Sequence, residues 1–383
     1  MTAFMDPDTI LTNAMLVLPD ETFVGTIAMK GATIVGIDTG VSSLPSAIDM
    51  HGDYLIPGIV DLHTDNLERQ VQPRATSRWP SRSALVAHDA QCAAAGVTTI
   101  FDALCLGDLG FEKDRMRTFR EGVADLDALM PVGLLKSDHF LHLRCEVPAA
   151  DTLAMTEPVI GHRLVRMISL MDHSPGVGQY ANLDYYRKIH RDNGTDNTAI
   201  DRRIAQLQDQ RARLRAPNRK ALLDLARPRE VPIASHDDRT LEEIAENAAD
   251  GITISEFPVT LLAANAAKAA GMQVIAGAPN IVRGGSHSGN VSASDLVGAG
   301  AVDAFASDYV PPSLVEAAFM CARLHGMSLS AAIGTVTDVP ARMGMLPDRG
   351  RLALWCRADV VRVRVHEDLP VVRQVWCGGV RVI

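Results

Sequence analysis

The 383-residue sequence has no excess of basic charge. Its net charge is −9 at pH 7, which excludes the broad positive field needed to hold a nucleic acid as a bulk polyanion. It has no run long and apolar enough to span a bilayer. The N-terminal stretch "MTAFMDPDTILTNAMLVLPD" lacks a basic leader segment and carries Asp6 and Asp8 early, so a secretory signal is not expected. Six scattered cysteines (Cys92, Cys105, Cys145, Cys321, Cys356, Cys377) form no C-x-x-C pair. That excludes a zinc ribbon and argues against a disulfide framework; buried thiols in a reducing cytoplasm fit better. No internal repeat or low-complexity tract is evident. The remaining expectation is a cytoplasmic globular protein with no nucleic-acid or membrane partner, in which any anion must be held by a local cluster.

Both ends of the chain are β-rich. "AMLVLPDETFVGTIAMKGATIVGIDTG" alternates short apolar runs with turn signals, and "DVVRVRVH" near the C-terminus has period-2 alternation. Residues 1–56 and 347–383 are therefore expected to pair into one small β domain. Between them, residues 57–346 alternate strands and helices. Expected strands are Gly58–Leu62, Val97–Leu104, Phe140–Glu146, Leu164–Met171, Val231–Ser235, Gly251–Glu256, Gln273–Ala278 and Val302–Ser307. Helical stretches lie between them, such as Ser83–Ala95 and Asp114–Leu129. Eight strand–helix units predict an α/β fold: a (β/α)8 TIM-like barrel whose strand C-termini face the site. One interval is too long, and residues 181–228 read as a helical insertion rich in Arg and Gln. It is either a solvated hairpin outside the barrel or a lid over the site.

Polar residues collect at the strand ends: His63 and Asp65 after the first, Glu146 after the third, Asp172 and His173 after the fourth. His236, Asp237 and Asp238 follow the fifth strand, Glu256 the sixth, Asn280 the seventh and Asp308 the eighth. Imidazoles and carboxylates together suit divalent ions such as zinc or manganese. Three histidines and three carboxylates exceed what one tetrahedral zinc needs, so two ions sharing a bridging carboxylate are expected.

The stretch "GAPNIVRGGSHSGN", residues 277–290, follows the seventh strand. Its glycines bring backbone amides close to a ligand, and such nests hold anions. With Arg283 inside it, and with Arg69, Arg74 and Arg78 after the first strand, it points to a phosphorylated small molecule.

These features resemble the amidohydrolase superfamily. Within it, "PGIVDLHTDNLE", "LHLRCE", "SLMDHSPG", "SHDD", "SEFP", "GAPNIVRGGSHSGN" and Asp308-Tyr309 resemble the PhnM family of the carbon–phosphorus lyase pathway. The resemblance runs from about Leu11 to Ala353. It implies a distorted barrel with a small β-sandwich domain built from both chain ends. It also implies hydrolysis of α-D-ribose 1-methylphosphonate 5-triphosphate to the 5-phosphate and pyrophosphate. Carried over residue by residue, the metal set is His63, Asp65, Glu146, His173, His236 and Asp308. The ions expected are two per chain, zinc first, with manganese, iron or magnesium as the other options. The superfamily's first-strand H-x-H is here His63-x-Asp65, and its bridging carbamylated lysine is replaced by Glu146, with Lys136 as the rival. Glu146, His173 and His236 also fall on strands three, four and five, where the superfamily uses four, five and six. A further strand near Leu134–Ser137 would restore that count.

The expected mechanism is metal-assisted phosphoanhydride hydrolysis. Asp308 orients the water and accepts its proton. Arg283 and the residues Gly284, Gly285, Ser286, His287 and Ser288 hold the phosphate charge, with Arg74 and Arg69 as further candidates. Glu256 and Asn280 orient the ribose or the phosphonate, while His139 and His142 are read as structural. Two rivals stand beside this reading: a cyclic amidohydrolase or deaminase, and a non-catalytic subunit of a phosphonate-processing assembly. Self-association into a homo-oligomer is left open.

Overall fold

The two ends of the chain meet in one sheet. In the computed structural model, which describes residues 7–74, 77–110, 113–192, 196–285 and 290–383, the N-terminal part supplies β1 (Thr9–Val17), β2 (Thr22–Lys30), β3 (Thr33–Thr39), β4 (Ile48–Asp49) and β5 (Tyr54–Pro57). The barrel strands follow: β6 (Ile59–Thr64), β7 (Val97–Leu106), β8 (Asp138–Glu146), β9 (Val165–Met171), β10 (Ile233–His236), β11 (Ile254–Glu256), β12 (Gln273–Gly277) and β13 (Ala304–Ala306). The C-terminal part returns to the first sheet with β14 (Val360–His366), β15 (Leu369–Cys377) and β16 (Val380–Arg381).

The seam between the chain ends is the antiparallel pairing of β5 with β14, Tyr54 opposite Val363 and Pro57 opposite Val360. The expected small β unit is thus one continuous sheet in the order β16-β15-β14-β5-β1-β2-β3, with β4 beside β1. Alternation in β14 decides its faces: Val361 and Val363 are buried, while Arg362 and Arg364 both clasp the buried carboxylate of Asp53. One face of the sheet buries Leu11, Leu16, Ile27, Leu55 and Trp376 together. Val361, Val363 and Val375 instead join a cluster that continues into the helices around the barrel.

The eight barrel strands are all parallel and pair in chain order. The ring closes where Thr64 pairs with Asp308. There the Asp308 amide donates to the His63 carbonyl (3.0 Å), and the Asp65 amide donates to the Asp308 carbonyl (2.9 Å). Val60, Leu62, Phe101, Met167, Ala234, Ile254, Ile275 and Ala304 fill the interior. Among the described residues no strand forms at 134–137. Lys136 lies two residues before β8, with its Nζ on the Val382 carbonyl. It is at the opposite end of β8 from Glu146, about 30 Å away at some 3.3 Å per residue. The barrel therefore carries Glu146, His173 and His236 on its third, fourth and fifth strands, and Lys136 cannot reach them.

The helices are α1 (Asn66–Val71), α2 (Ser81–Ala94), α3 (Lys113–Leu129), α4 (Thr152–Thr156), α5 (Leu183–Asp192), α6 (Asn197–Ala226), α7 (Leu241–Ala249), α8 (Leu261–Ala269), α9 (Ala278–Arg283), α10 (Ala293–Gly298), α11 (Ser313–Leu324), α12 (Leu329–Gly334) and α13 (Asp338–Met343). Several begin where the sequence places a capping side chain. Thr240 and Glu243 form a full capping box at α7, and Thr260, Ser292 and Ser328 cap α8, α10 and α12. The long interval between β9 and β10 holds α5 and α6, packed together through Tyr186, Ile200 and Ile204. Asn218 pins α6 to the barrel by donating to the carbonyls of Val147 and Ala149. Arg211 bonds Asp172 at 2.6 Å.

Candidate active site

The strand C-termini open into a cavity of about 740 Å³. Its wall includes His63, Asp65, Glu146, His173, His236, Asn280 and Asp308, from six different strands or the turns after them.

At the centre lies Glu256, fully buried at the end of β11. Its Oε1 is 2.7 Å from His63 Nδ1 and its Oε2 is 2.7 Å from His236 Nδ1. The two imidazoles lie nearly parallel, with centroids 5.8 Å apart, and Phe257 packs edge-on against both. Each Nδ1–H donates to the carboxylate, which leaves the Nε2 lone pair of each ring free. His63 Nε2 is buried and has no hydrogen-bond partner. His142 is arranged alike: Nδ1 donates to the Leu62 carbonyl at 2.9 Å, and Nε2 is buried without a partner. Donor atoms of His63, His142 and Glu256 lie within 4.8 Å of one another.

A second group forms beside the first. Donor atoms of His173, His236 and Asp237 also lie within 4.8 Å of one another. Glu146 orients this group by accepting from the His173 amide (2.8 Å) and from His173 Nδ1 (2.7 Å). Asp237 and Asp308 both adopt left-handed backbone conformations, φ 57° and 54°. That is costly for a residue with a Cβ and recurs where side chains are held for function.

The electrostatics follow from burial and crowding. Burial pushes His142 down to about 3 and lowers His63, so both imidazoles are neutral. Burial alone would raise Glu256, but His63 and His236, each donating an Nδ1–H to it, outweigh burial and hold the carboxyl well below its usual range. Burial opposes His236 as a cation, yet Asp237 and Glu256 raise it. Burial, reinforced by the Asp65 charge, pushes Asp308 up to about 8. Neutral imidazoles with a free Nε2, each fixed through Nδ1, are what a divalent ion requires. Asp65 Oδ1 and Asp237 Oδ2 are further buried oxygens without a partner. The donor set suits divalent metal binding.

The structure brings His63, Asp65, Glu146, His173, His236, Asp308 and Asn280 to one cavity. It departs from the expectation at other positions. Glu256 is not a substrate contact, because both of its oxygens face histidines and its side chain is sealed from the cavity. Glu146 gives both oxygens to His173, which makes it a backing group for that ring. Arg74 and Arg283 are exposed and, with Gly284 and Gly285, are not part of the cavity wall, since "APNIVR" forms the short helix α9 instead of a loop around the ligand. Ser286, His287 and Ser288 lie outside the described residues. The sequence reading gives His142 a structural place, notes Asp237 only as a strand-end carboxylate and passes over Arg144 and Arg115; the structure puts His142 and Asp237 in the donor groups and both arginines in the cavity wall. For His142 and Arg144 a signal existed: Phe140, His142, Arg144 and Glu146 alternate along β8 and so share one face. The α5–α6 excursion is neither purely external nor detached from the site, because Ile189 and His190 line the cavity.

A third group, His88, Asp102 and His139, lies buried outside the cavity wall. Asp102 accepts from His88 Nε2 and from His139 Nδ1, both at 2.8 Å. The amide of Asn66, next to Asp65, reaches His88 Nδ1 at 3.0 Å.

The chain matches no family model. It is 39% identical over 379 residues to the alpha-D-ribose 1-methylphosphonate 5-triphosphate diphosphatase of Escherichia coli strain K12, covering 97% of this chain and 100% of that protein. Among solved structures it is similar to dihydropyrimidinase from Brevibacillus agri, with a TM-score of 0.65 and 12% identity, covering 98% of this chain and 95% of that one. It is likewise similar to 5-methylcytosine deaminase from Klebsiella pneumoniae, with a TM-score of 0.65 and 15% identity over 98% of each chain. At these identities the two structures establish the fold alone.

Proposed function

The chain belongs to the family of alpha-D-ribose 1-methylphosphonate 5-triphosphate diphosphatases, and from that premise we propose that it cleaves such a ribose 5-triphosphate to the 5-phosphate and pyrophosphate in phosphonate catabolism. The observation that carries the proposal is the pair of adjacent donor groups, His63–His142–Glu256 and His173–His236–Asp237, at the strand C-termini. We assign two divalent ions to this region, zinc first, held by His63, His142, His173, His236 and Asp237, with Asp65 and Asp308 beside them. Bound there, the ions would make a water more acidic and neutralise phosphoryl oxygens.

The chain's own residues do the rest. Asp308, which faces the cavity from the closing seam, orients the attacking water and takes its proton. Burial and the Asp65 charge favour a proton on its carboxyl, and the positive charge of the ions would offset both and leave it ionised as a base. The water's oxygen bonds to the α-phosphorus, and the bond to the pyrophosphate oxygen breaks on the opposite side. Glu256 and Glu146 keep the imidazoles from turning. Asn280 offers its amide to the sugar, and Tyr180, Ile189 and His190 narrow the outer wall against bulk water.

Hydrolysis in oxygen-18 water tests the proposal. The label is expected in the sugar monophosphate, with pyrophosphate released whole and unlabelled. Label in pyrophosphate, or release of single phosphates, would overturn the assignment. A dihydropyrimidine offered to the same sample tests the cyclic-amide chemistry, and no hydrolysis is expected.

A further inference from the structure

Arg144 lines the cavity and has no part in the mechanism above. We infer that its guanidinium receives a non-bridging oxygen of the substrate's reacting phosphoryl group, and so makes this cavity select phosphoryl substrates over uncharged carbonyl ones. The inference rests on the diphosphatase reading for the identity of the anion.

An arginine inside a barrel needs a reason. Its charge cannot be shed by losing a proton, and the side chain is only 7% exposed. Its partners within the protein are poor. Nε faces the Met171 sulfur, a weak acceptor, at 3.3 Å. Nη1 is buried with no hydrogen-bond partner, and its nearest carboxylate oxygen, Asp65 Oδ2, stands 3.6 Å away, too far for a hydrogen bond. A buried guanidinium with an N–H unmatched by any protein acceptor is unfavourable unless something else completes it. Alternation along β8 puts Arg144 on the same face as His142 and Glu146, so the free donor lies among the donor groups and not behind them. Arg115, the other arginine of the wall, has its Nε 3.1 Å from Glu68. Once divalent ions offset the local carboxylates, Arg144 is left as a fixed fork for an anionic oxygen. The simpler account is that Arg144 only balances Asp65, and that account predicts a different pattern of losses.

The experiment uses the full chain loaded with zinc, as wild type, Arg144→Gln and Arg144→Lys. Metal content, pyrophosphate release from the ribose 5-triphosphate and calorimetric binding of ribose 5-phosphate are measured on each. The inference expects Arg144→Gln to keep its metal, to lose about 100- to 1,000-fold in kcat, and to bind ribose 5-phosphate at least about tenfold more weakly. Arg144→Lys, a point charge without the fork, should recover only part of each loss. Unchanged ribose 5-phosphate binding in Arg144→Gln, or a loss of metal that accounts for the lost rate, would overturn it in favour of the Asp65 counter-ion. Should Arg144→Gln fail to fold, the charge-retaining Arg144→Lys decides: wild-type kcat and binding in that variant overturn the inference. If the wild type releases no pyrophosphate, the diphosphatase reading fails by itself, and the ribose 5-phosphate titration still decides the role of Arg144.

Discussion

Glu256 Oε1 lies 2.7 Å from His63 Nδ1 at the buried centre of the barrel mouth. The other oxygen of the same carboxylate holds His236, so one side chain sets the tautomer of two candidate ligands. Glu256→Gln puts an amide N–H against one of the two Nδ1–H donors, and that ring must turn. Removing such a backing group costs about 10- to 100-fold in metal affinity, which chelator competition would read. A raised KM with metal affinity intact would instead return Glu256 to the substrate.

His142 and Asp237 extend this test. His142→Gln and Asp237→Asn should each lower the metal content of purified protein, while Lys136→Ala should leave it unchanged because Lys136 sits at the far end of β8. Elemental analysis distinguishes these outcomes.

Arg283 is exposed at the end of α9 and outside the cavity wall. Arg283→Ala is therefore expected to change kcat/KM by less than about tenfold, under the 1.4 kcal/mol that a tenfold change represents. A larger loss would show that the segment after α9 carries Arg283 to the phosphates.

The buried Asp102–His139 pair predicts a pH-dependent stability. Burial pulls His139 down, but Asp102 and then Asp89 outweigh it and hold the imidazole at about 9 against an ordinary 6.5. Burial pushes Asp102 up, yet His139 and His88 hold it well below its ordinary 3.8. The His139 contribution is thus complete below about pH 6.5 and fades as pH rises through about 9. The Asp102 contribution is present above about pH 3.8 and fades only as pH falls through its lowered value. The gain from His139 is roughly 3 kcal/mol at 1.36 kcal/mol per pKa unit. Thermal unfolding across pH 6–10 should show the wild type losing its advantage over His139→Gln, and parallel curves would contradict this.

Tyr186 is buried between α5 and α6. Tyr186→Ala should loosen α5, which carries Ile189 and His190 in the cavity wall. Truncating a buried aromatic costs about 3–5 kcal/mol. The expected result is a raised KM with metal content unchanged. An unaltered KM would place α5 outside substrate binding.

The eight barrel strands were legible because each is a short apolar run, in all but the second with a polar end, and all eight recur in the structure within a few residues. The polar ends that gather at the cavity were legible for the same reason. What was not legible is which polar group faces which. Glu256 and Asp308 both follow apolar strands, yet one backs two imidazoles and the other faces the cavity. That difference arises from the ring of strands as a whole. His142 and Arg144 lie before the strand end, so a reading confined to strand ends left His142 a structural residue and passed over Arg144, although the steps of two from His142 to Arg144 to Glu146 were visible. The glycines after β12 suggested a loop, while Pro279 at the start of α9 suits the first turn of a helix.

The barrel closes where Thr64 meets Asp308, 244 residues later in the chain. His63, Asp65 and Asp308 all lie at that junction, so the cavity they line cannot exist on a growing polypeptide until the ribosome has passed Asp308. A loop of this length is slow to close. The cavity is therefore among the last features of the fold to be completed, and the seam that completes it joins the earliest barrel strand to the latest.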